Sequence, residues 1–182
     1  MRTAYLLTLF LAGFAAFAQE PRPLVIADAV ALPLSGVQVF HAALKTWPYS
    51  FGQEPGAHIL LVDTAGGSIK GVARFNFRSS ALGSREASMG VVRYEVTIQA
   101  ENGQCRVQVG HLVHTGNQSA PGGGVDIGMI YAAQRPQTSI PGISMGTANR
   151  LHDDIRAQVQ ARMDAVMKNF FSAMRRAASQ GQ

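Results

Sequence analysis

Alternating apolar and polar residues dominate the middle of the chain and predict an antiparallel sheet. Residues 69–78 and 91–100 carry an apolar or small side chain at every second position, and successive side chains of a strand point to opposite faces. The apolar run 58–63 and the alternating stretch 105–113 flank them. A Gly-rich turn joins the first two strands and Asn-Gly at 102–103 joins the last two, so the four strands are expected to form a meander.

Two segments repeat apolar residues every three or four positions, which is the spacing of an amphipathic helix. The shorter segment begins after Ser35, a residue type that caps helices, and ends at Trp47 before Pro48. The longer segment spans about residues 148–177. The predicted apolar faces consist of Val37, Phe40, Leu44 and Trp47 in the first helix and of Leu151, Ile155, Val159, Met163, Val166, Phe170 and Met174 in the second.

These elements, with a leading apolar strand at 24–34, predict an α+β fold in which helices pack on one face of an antiparallel sheet. The Gly- and Pro-rich loop at 115–146 is longer than most loops in compact domains. Its apolar island at 125–131 is expected either to add an edge strand or to belong to a disordered connection. We expect residues 19–182 to form a single domain.

The first 18 residues have the pattern of a secretory signal peptide. Arg2 precedes an apolar run at 4–17 that ends in Ala-Phe-Ala, a small-x-small sequence typical of cleavage sites. The run is too short to span a hydrocarbon core of about 30 Å. We therefore expect cleavage near Ala18 and an exported protein, periplasmic or secreted. No later stretch predicts a membrane span.

The chain is basic, since 16 Lys and Arg against 11 Asp and Glu give a net charge of +5. Much of the excess lies in residues 150–176, where a solvated helix face is the simplest interpretation. Asp153 and Asp154 near the start of that helix and Arg175 near its end have the signs that a helix dipole favours. Because an exported protein rarely meets nucleic acid, no nucleic-acid partner is expected.

Several short motifs are shared with a known family. They are the strand and helix that end at Trp47, Gly-Gly-Ser-Ile-Lys-Gly at 66–71, Arg-Tyr-Glu-Val-Thr-Ile at 93–98 and the hairpin at 102–107. In these motifs the chain resembles small secreted bacterial domains of unknown function with a TBP-like fold, over about residues 25–114. The resemblance implies that fold and a C-terminal helix, and it brings no activity, cofactor or catalytic residue. A fold name does not by itself imply DNA binding.

Four arginines, Arg74, Arg78, Arg93 and Arg106, fall on the polar face of the predicted strands, and Glu95 falls on the same face. Guanidinium groups bind carboxylates and phosphates through paired hydrogen bonds, so these residues form a candidate anion-binding face. The alternative is a solvated outer face, which is where most charged side chains are found.

Five large side chains are expected where the helices meet the sheet. A long helix over a curved sheet can enclose a cavity, and methionine adapts to varied ligands. A filled core is the alternative for the same side chains. The candidate apolar pocket consists of Trp47, Phe75, Tyr94, Met163 and Phe170.

Histidine and cysteine suggest little further chemistry. His111 and His114 are three residues apart, a spacing that on a regular strand sends them to opposite faces, with His111 inward on the face of Cys105 and His114 outward. A shared metal ion would require the strand to end between them. Cys105 is expected to behave as a buried apolar residue. We expect no cofactor and no catalytic group.

These features favour a non-catalytic binding or interaction module of the bacterial envelope, whose partner would be another envelope protein, a cell-wall component or the open sheet face of a second copy. The alternative is a carrier of a small apolar or lipid-like ligand between the sheet and the C-terminal helix. An enclosed cavity of about 300 Å³ or more would favour the carrier. An enzyme would require a cleft in which His111, His114, Asp126 or Cys105 converge. The ligand, the partner and the oligomeric state stay open.

Overall fold

A computed structural model describes residues 20–79, 89–120 and 123–180. The expected signal peptide at 1–18 lies outside the described residues. The elements in chain order are β1 (Ile26–Ala31), α1 (Gly36–Thr46), two 3-10 turns (Trp47–Tyr49 and Phe51–Gln53), β2 (His58–Asp63), β3 (Ser68–Arg78), β4 (Met89–Glu101), β5 (Gln104–Gly116), β6 (Gly128–Met129) and α2 (Met145–Gln180).

The strands form one antiparallel sheet in the order β1-β5-β4-β3-β2. Strands β2 to β5 are consecutive neighbours, which confirms the predicted meander. The turns between them use Gly67 and Gly103, whose φ angles of 63° and 78° suit glycine. β1 pairs with the first half of β5, where Ile26 lies opposite Val109, and β6 pairs with the second half.

Both helices cover one face of this sheet, and the predicted α+β arrangement is confirmed. On β3 and β4 the buried residues alternate with exposed ones as the sequence pattern predicts. Each large apolar side chain that leaves water contributes roughly 1.5–3 kcal/mol, so the continuous stripe on α2 anchors that helix to the sheet. All seven predicted stripe residues are buried: Leu151, Ile155, Val159, Met163, Val166, Phe170 and Met174.

The start of α1 agrees with the sequence, whereas part of its predicted face was wrong. Ser35 and Gln38 form a capping box, in which two helix-end N–H groups find side-chain acceptors. Val37 was expected to face the core but is 67% exposed. Phe40 and Trp47 are buried as predicted, and Val39 and Ala43 take the place of Val37 on the buried face, because a helix turned toward that side brings the small alanine against the sheet.

Helix α2 is longer than the predicted 148–177. It spans Met145–Gln180, about 54 Å at 1.5 Å per residue, and the Ser144 Oγ accepts a hydrogen bond from the Thr147 N–H at 3.2 Å. Asp153 and Asp154 therefore lie in the third turn, and the first turn holds no acidic residue. The expectation that they complement the helix dipole was wrong. No helix in the described ranges is long and apolar enough to cross a membrane.

The described part of the Gly- and Pro-rich loop packs back on the fold. The Ile130 N–H donates to the Leu112 carbonyl at 2.9 Å, and β6 pairs with β5 beside it. The apolar island at 125–131 therefore adds a short strand to the sheet, which was one of its two predicted alternatives. Arg135 is buried and donates to the Thr138 carbonyl at 2.6 Å and the Asn149 side chain at 3.3 Å. These bonds tie the loop to the first turns of α2.

Strand β5 contains a bulge in its middle. Arg93 of β4 lies opposite Val113, whereas Glu95 lies opposite Gly110. Two residues along β4 thus correspond to three along β5, which is the count of a β-bulge. His111 sits in the bulge with a φ of 48°, the one positive φ at a non-glycine residue in the described ranges.

The bulge reverses the faces of β5 beyond it. Cys105 points inward as predicted, but Leu112 and His114 are buried too, and His111 is exposed. The prediction that His111 lies inward and His114 outward was therefore wrong, because one extra residue shifts the alternation by one position.

Strand β2 is an edge of the sheet, and its bounds agree with the predicted 58–63. It has its own bulge, since the register shifts between Ile59 and Leu61. Leu60 and Leu61 are about half exposed.

Candidate functional site

The face of the sheet opposite to the helices is open and carries a depression of about 750 Å³, which we call the sheet-face depression. It lies over β2 to β5, and Val72 and Val113 give it an apolar floor. Its polar walls contain His58, Arg74, Arg93, Glu95, His111 and Thr115.

Two arginines occupy opposite positions of neighbouring strands in this depression. Arg74 of β3 and Arg93 of β4 are register partners, so their Cβ atoms are about 4.5–5.5 Å apart and like charges at this spacing destabilise a sheet. Neither guanidinium has a carboxylate within 4 Å among the residues that the structure describes. A bound anion would turn this repulsion into a favourable, charge-assisted contact.

The segment before β2 positions Arg74. The Arg74 N–H donates to the Pro55 carbonyl at 3.2 Å, and a Cβ added at Gly56 would lie 3.2 Å from the Arg74 Nε. Gly56 therefore leaves room for the guanidinium. The Gly56 carbonyl lies 3.0 Å from His58 Nδ1, and because a carbonyl only accepts, that nitrogen carries the hydrogen.

An ion pair between the half-exposed Arg162 and the buried Glu54 holds the same segment against α2. Arg162 donates to both carboxylate oxygens of Glu54, at 2.7 and 3.3 Å, and the Glu54 side chain is 5% exposed. The Tyr94 hydroxyl is buried nearby without a hydrogen-bond partner in the described part of the chain. Burial raises the pKa of Tyr94, and the Glu54 carboxylate raises it further. This cluster is on the helix side, so it supports the wall of the depression from behind.

Glu95 is the one acidic residue among those lining the sheet-face depression. It lies two residues from Arg93 on β4, about 7 Å along the strand, and opposite Val72 and Gly110 on its two sides. It makes no ion pair within 4 Å to any described cation. The depression thus has a basic end and an acidic position.

His111 reaches the depression because of the bulge in β5. Its positive φ costs an L-residue about 1–2 kcal/mol. Strained backbone of this kind concentrates at sites that bind ligands or catalyse reactions, and bulges re-aim a side chain beside such sites. The bulge therefore adds an imidazole to the lining of the depression that also contains the two arginines.

The other two predicted arginines lie outside the depression. Arg78 follows at the end of β3, and its carbonyl accepts from the Gln158 side chain at 3.1 Å. Arg106 lies opposite Gln99, six residues and about 20 Å along β4 from Arg93. It also contacts Glu101 at 3.7 Å.

Solved structures of other proteins show which known fold this chain has. No protein-family model and no curated protein sequence matches the chain. It is similar to the crystal structure of a TBP-like protein from Parabacteroides distasonis ATCC 8503, with a TM-score of 0.53 and 11% identity, over 81% of this chain and 92% of that one. The chain has the TBP-like fold.

Two other solved structures are similar to a lesser degree. A DUF4468 family protein from Bacteroides ovatus ATCC 8483 has a TM-score of 0.47 and 18% identity, over 77% of this chain and 85% of that one. The Zhui aromatase/cyclase from Streptomyces sp. R1128 has a TM-score of 0.37 and 9% identity, over 86% and 94%. The resemblance to a domain of unknown function with a TBP-like fold is confirmed at the level of the fold.

The residues proposed for an apolar pocket lie in the core of the TBP-like fold. Trp47 stacks on Phe51 at 5.4 Å between ring centroids, and Phe51 contacts Phe170 at 5.6 Å. Tyr94 also contributes to the wall of the sheet-face depression, on the opposite side of β4. The five predicted residues, Trp47, Phe75, Tyr94, Met163 and Phe170, are all buried.

The histidines and the cysteine of β5 are not brought together. His111 and His114 lie on opposite faces, as their spacing predicts, although each occupies the face predicted for the other. Burial raises the pKa of the Cys105 thiol to about 12. The described ranges contain no cluster of three His, Cys, Asp or Glu residues with the spacing of a metal site.

His114 is part of the core. Its Nδ1 accepts from the Ile127 N–H at 3.4 Å, and its ring meets Phe77 edge-on at 5.3 Å. Burial lowers its pKa to about 4, and Asp126 opposes the shift weakly. His114 therefore holds the loop before β6 as a neutral imidazole.

The alternation along β3 and β4 predicted that Arg74, Arg93 and Glu95 lie on the open face. The alternation along β5 did not predict that His111 lies there too. The available signal was Gly110, since an isolated glycine inside a strand often marks a bulge.

Proposed function

We propose that this protein is a non-catalytic binding module that holds an anionic group of its ligand in the sheet-face depression. The observation that carries the proposal is the direct pairing of Arg74 with Arg93 on the open face, with no acidic partner among the described residues. Two adjacent guanidinium groups offer ten N–H donors to an oxyanion.

The nucleophilic and buried titratable groups of β5 support a binding role over a catalytic one. Cys105 and His114 lie on the helix side of the sheet, whereas the depression is on the other side. A reacting thiol would need a lowered pKa and an oriented base, but burial raises the pKa of Cys105.

The alternative of an apolar carrier has less support. The side chains that would line such a pocket contact one another in the core, so they fill the space that a ligand would need. The open face instead offers both volume and unpaired charge. The signal-peptide pattern at 1–18 leads us to place this binding in the bacterial envelope.

Titration with succinate, followed by calorimetry, tests the proposal. We expect saturable binding that Arg93→Gln or Arg74→Gln weakens at least tenfold. Arg106→Gln is the matched control, because it removes the same charge from the same face about 20 Å away, and it should change affinity less than twofold. No saturable binding, or an equal loss in Arg106→Gln, would contradict the proposal.

A further inference from the structure

We infer that the ligand of the sheet-face depression is a zwitterion whose carboxylate contacts Arg74 and Arg93 and whose ammonium group contacts Glu95. This inference rests on the proposed anion-binding role and names the class of ligand. Its basis is the arrangement of one acidic side chain and two basic ones on neighbouring positions of the open face.

The charges form two rows across the strands. Arg74 and Arg93 are opposite each other in one row, and Val72 and Glu95 are opposite each other in the next. The rows are two residues apart, or about 7 Å. A ligand that spans them needs an anionic group and a cationic group separated by about that distance.

Glu95 is free to take a cation. It is exposed, and no described Lys, Arg or His side chain comes within 4 Å of it, although Arg93 is on the same strand and the same face. A second anionic group on the ligand would be repelled at this position, so a dianion such as succinate is expected to bind through the arginines but more weakly than a zwitterion of similar length.

The size and surroundings favour a short peptide with free ends. Two extended residues span about 7 Å, which matches the separation of the rows. Val72 and Val113 offer apolar contact beneath the ligand, and His58 and His111 border the depression on either side. An imidazole offers hydrogen bonds to the peptide group between the two charged ends.

Two probes that share a carboxylate but differ in the ammonium group test this inference. Glycylglycine has both charged ends, whereas N-acetylglycylglycine lacks the positive one. We expect the protein to bind glycylglycine at least fivefold more tightly in NMR titrations at pH 7. Glu95→Gln should abolish the preference, Arg93→Gln should weaken both ligands, and the control Arg106→Gln should preserve the preference.

The outcomes distinguish a failure of the zwitterion inference from a failure of the proposed anion-binding role. The inference that the ligand is a zwitterion is overturned if both peptides bind equally. It is also overturned if the preference for glycylglycine persists in Glu95→Gln. The same holds if Glu95→Gln strengthens both peptides equally, because Glu95 would then only repel anions. If succinate binds in an Arg93-dependent manner while neither peptide does, the inference fails and the proposed function stands. If no probe binds, both fail.

Discussion

At the scale of single residues, the two histidines of β5 show how one backbone irregularity separates two roles. His111 is exposed in the depression that Arg74 and Arg93 also line, whereas His114 is enclosed with Phe77 on the other side of the sheet. The first histidine is available to a ligand. The second contributes to stability as a neutral group, and its contribution depends on pH.

We predict that the free energy of unfolding falls as the pH is lowered from about 6.5 to about 4. Burial lowers the pKa of His114 to about 4 from its ordinary 6.5, so the unfolded chain binds a proton in this range before the folded one does. At about 1.4 kcal/mol per pKa unit, His114 accounts for about 3 kcal/mol. Burial lowers the pKa of His152 too, with the same sign.

Urea unfolding at pH 7 and pH 4.5 measures this effect. His114→Gln removes one of the two histidines whose pKa burial lowers, so the variant should lose less stability between these pH values than the unmodified protein. Equal losses in both proteins would show that His114 does not titrate with unfolding.

At the scale of elements, the bulge in β5 decides which side chains form the candidate site. Regular alternation predicted β3 and β4 correctly, and with them the outward positions of Arg74, Arg93 and Glu95. The alternation predicted the wrong faces for the second half of β5, because an alternating pattern assumes that no residue is inserted into the strand. The sequence signal for the bulge was Gly110, a glycine inside the strand.

The predicted face of α1 was wrong in part, because apolar spacing does not fix which face of a helix packs. Val37 fits an apolar spacing of three and four, but the helix presents Phe40 and Ala43 to the sheet and leaves Val37 exposed. Tertiary packing selects among several faces that the spacing allows, whereas the single continuous stripe of α2 left no choice. The ends of α2 were missed, since the apolar stripe does not mark the cap at Ser144.

The bulge also leads to a prediction about strain. His111→Gly should raise the free energy of unfolding by about 1 kcal/mol, because glycine adopts a positive φ without the steric cost that a side chain brings. The same variant should bind succinate more weakly, since it loses the imidazole. His111→Asn is the control that keeps a side chain tolerated at this φ. Unchanged or lower stability of His111→Gly in urea unfolding would contradict this account of the strain.

At the scale of the whole molecule, the TBP-like fold divides the sheet into two faces with different roles. One face and both helices share a packed aromatic core that includes Phe51 and Phe170. The other face is open and carries the unpaired charges of Arg74, Arg93 and Glu95. The spacing of apolar residues predicted the fold class and the core. It could not predict the sheet-face depression, because the shape of the depression depends on the strand register and on the segment before β2 that forms one wall.

The central claim is that ligands bind the open face of the sheet and not the interior between sheet and helix. The most direct test is to map chemical-shift changes across the labelled protein during a succinate titration. We predict saturable changes at the backbone amides of Arg74, Arg93 and His111, with Met163 and Phe170 unaffected. Changes centred on Met163 and Phe170 would contradict the account and favour an apolar pocket beneath α2.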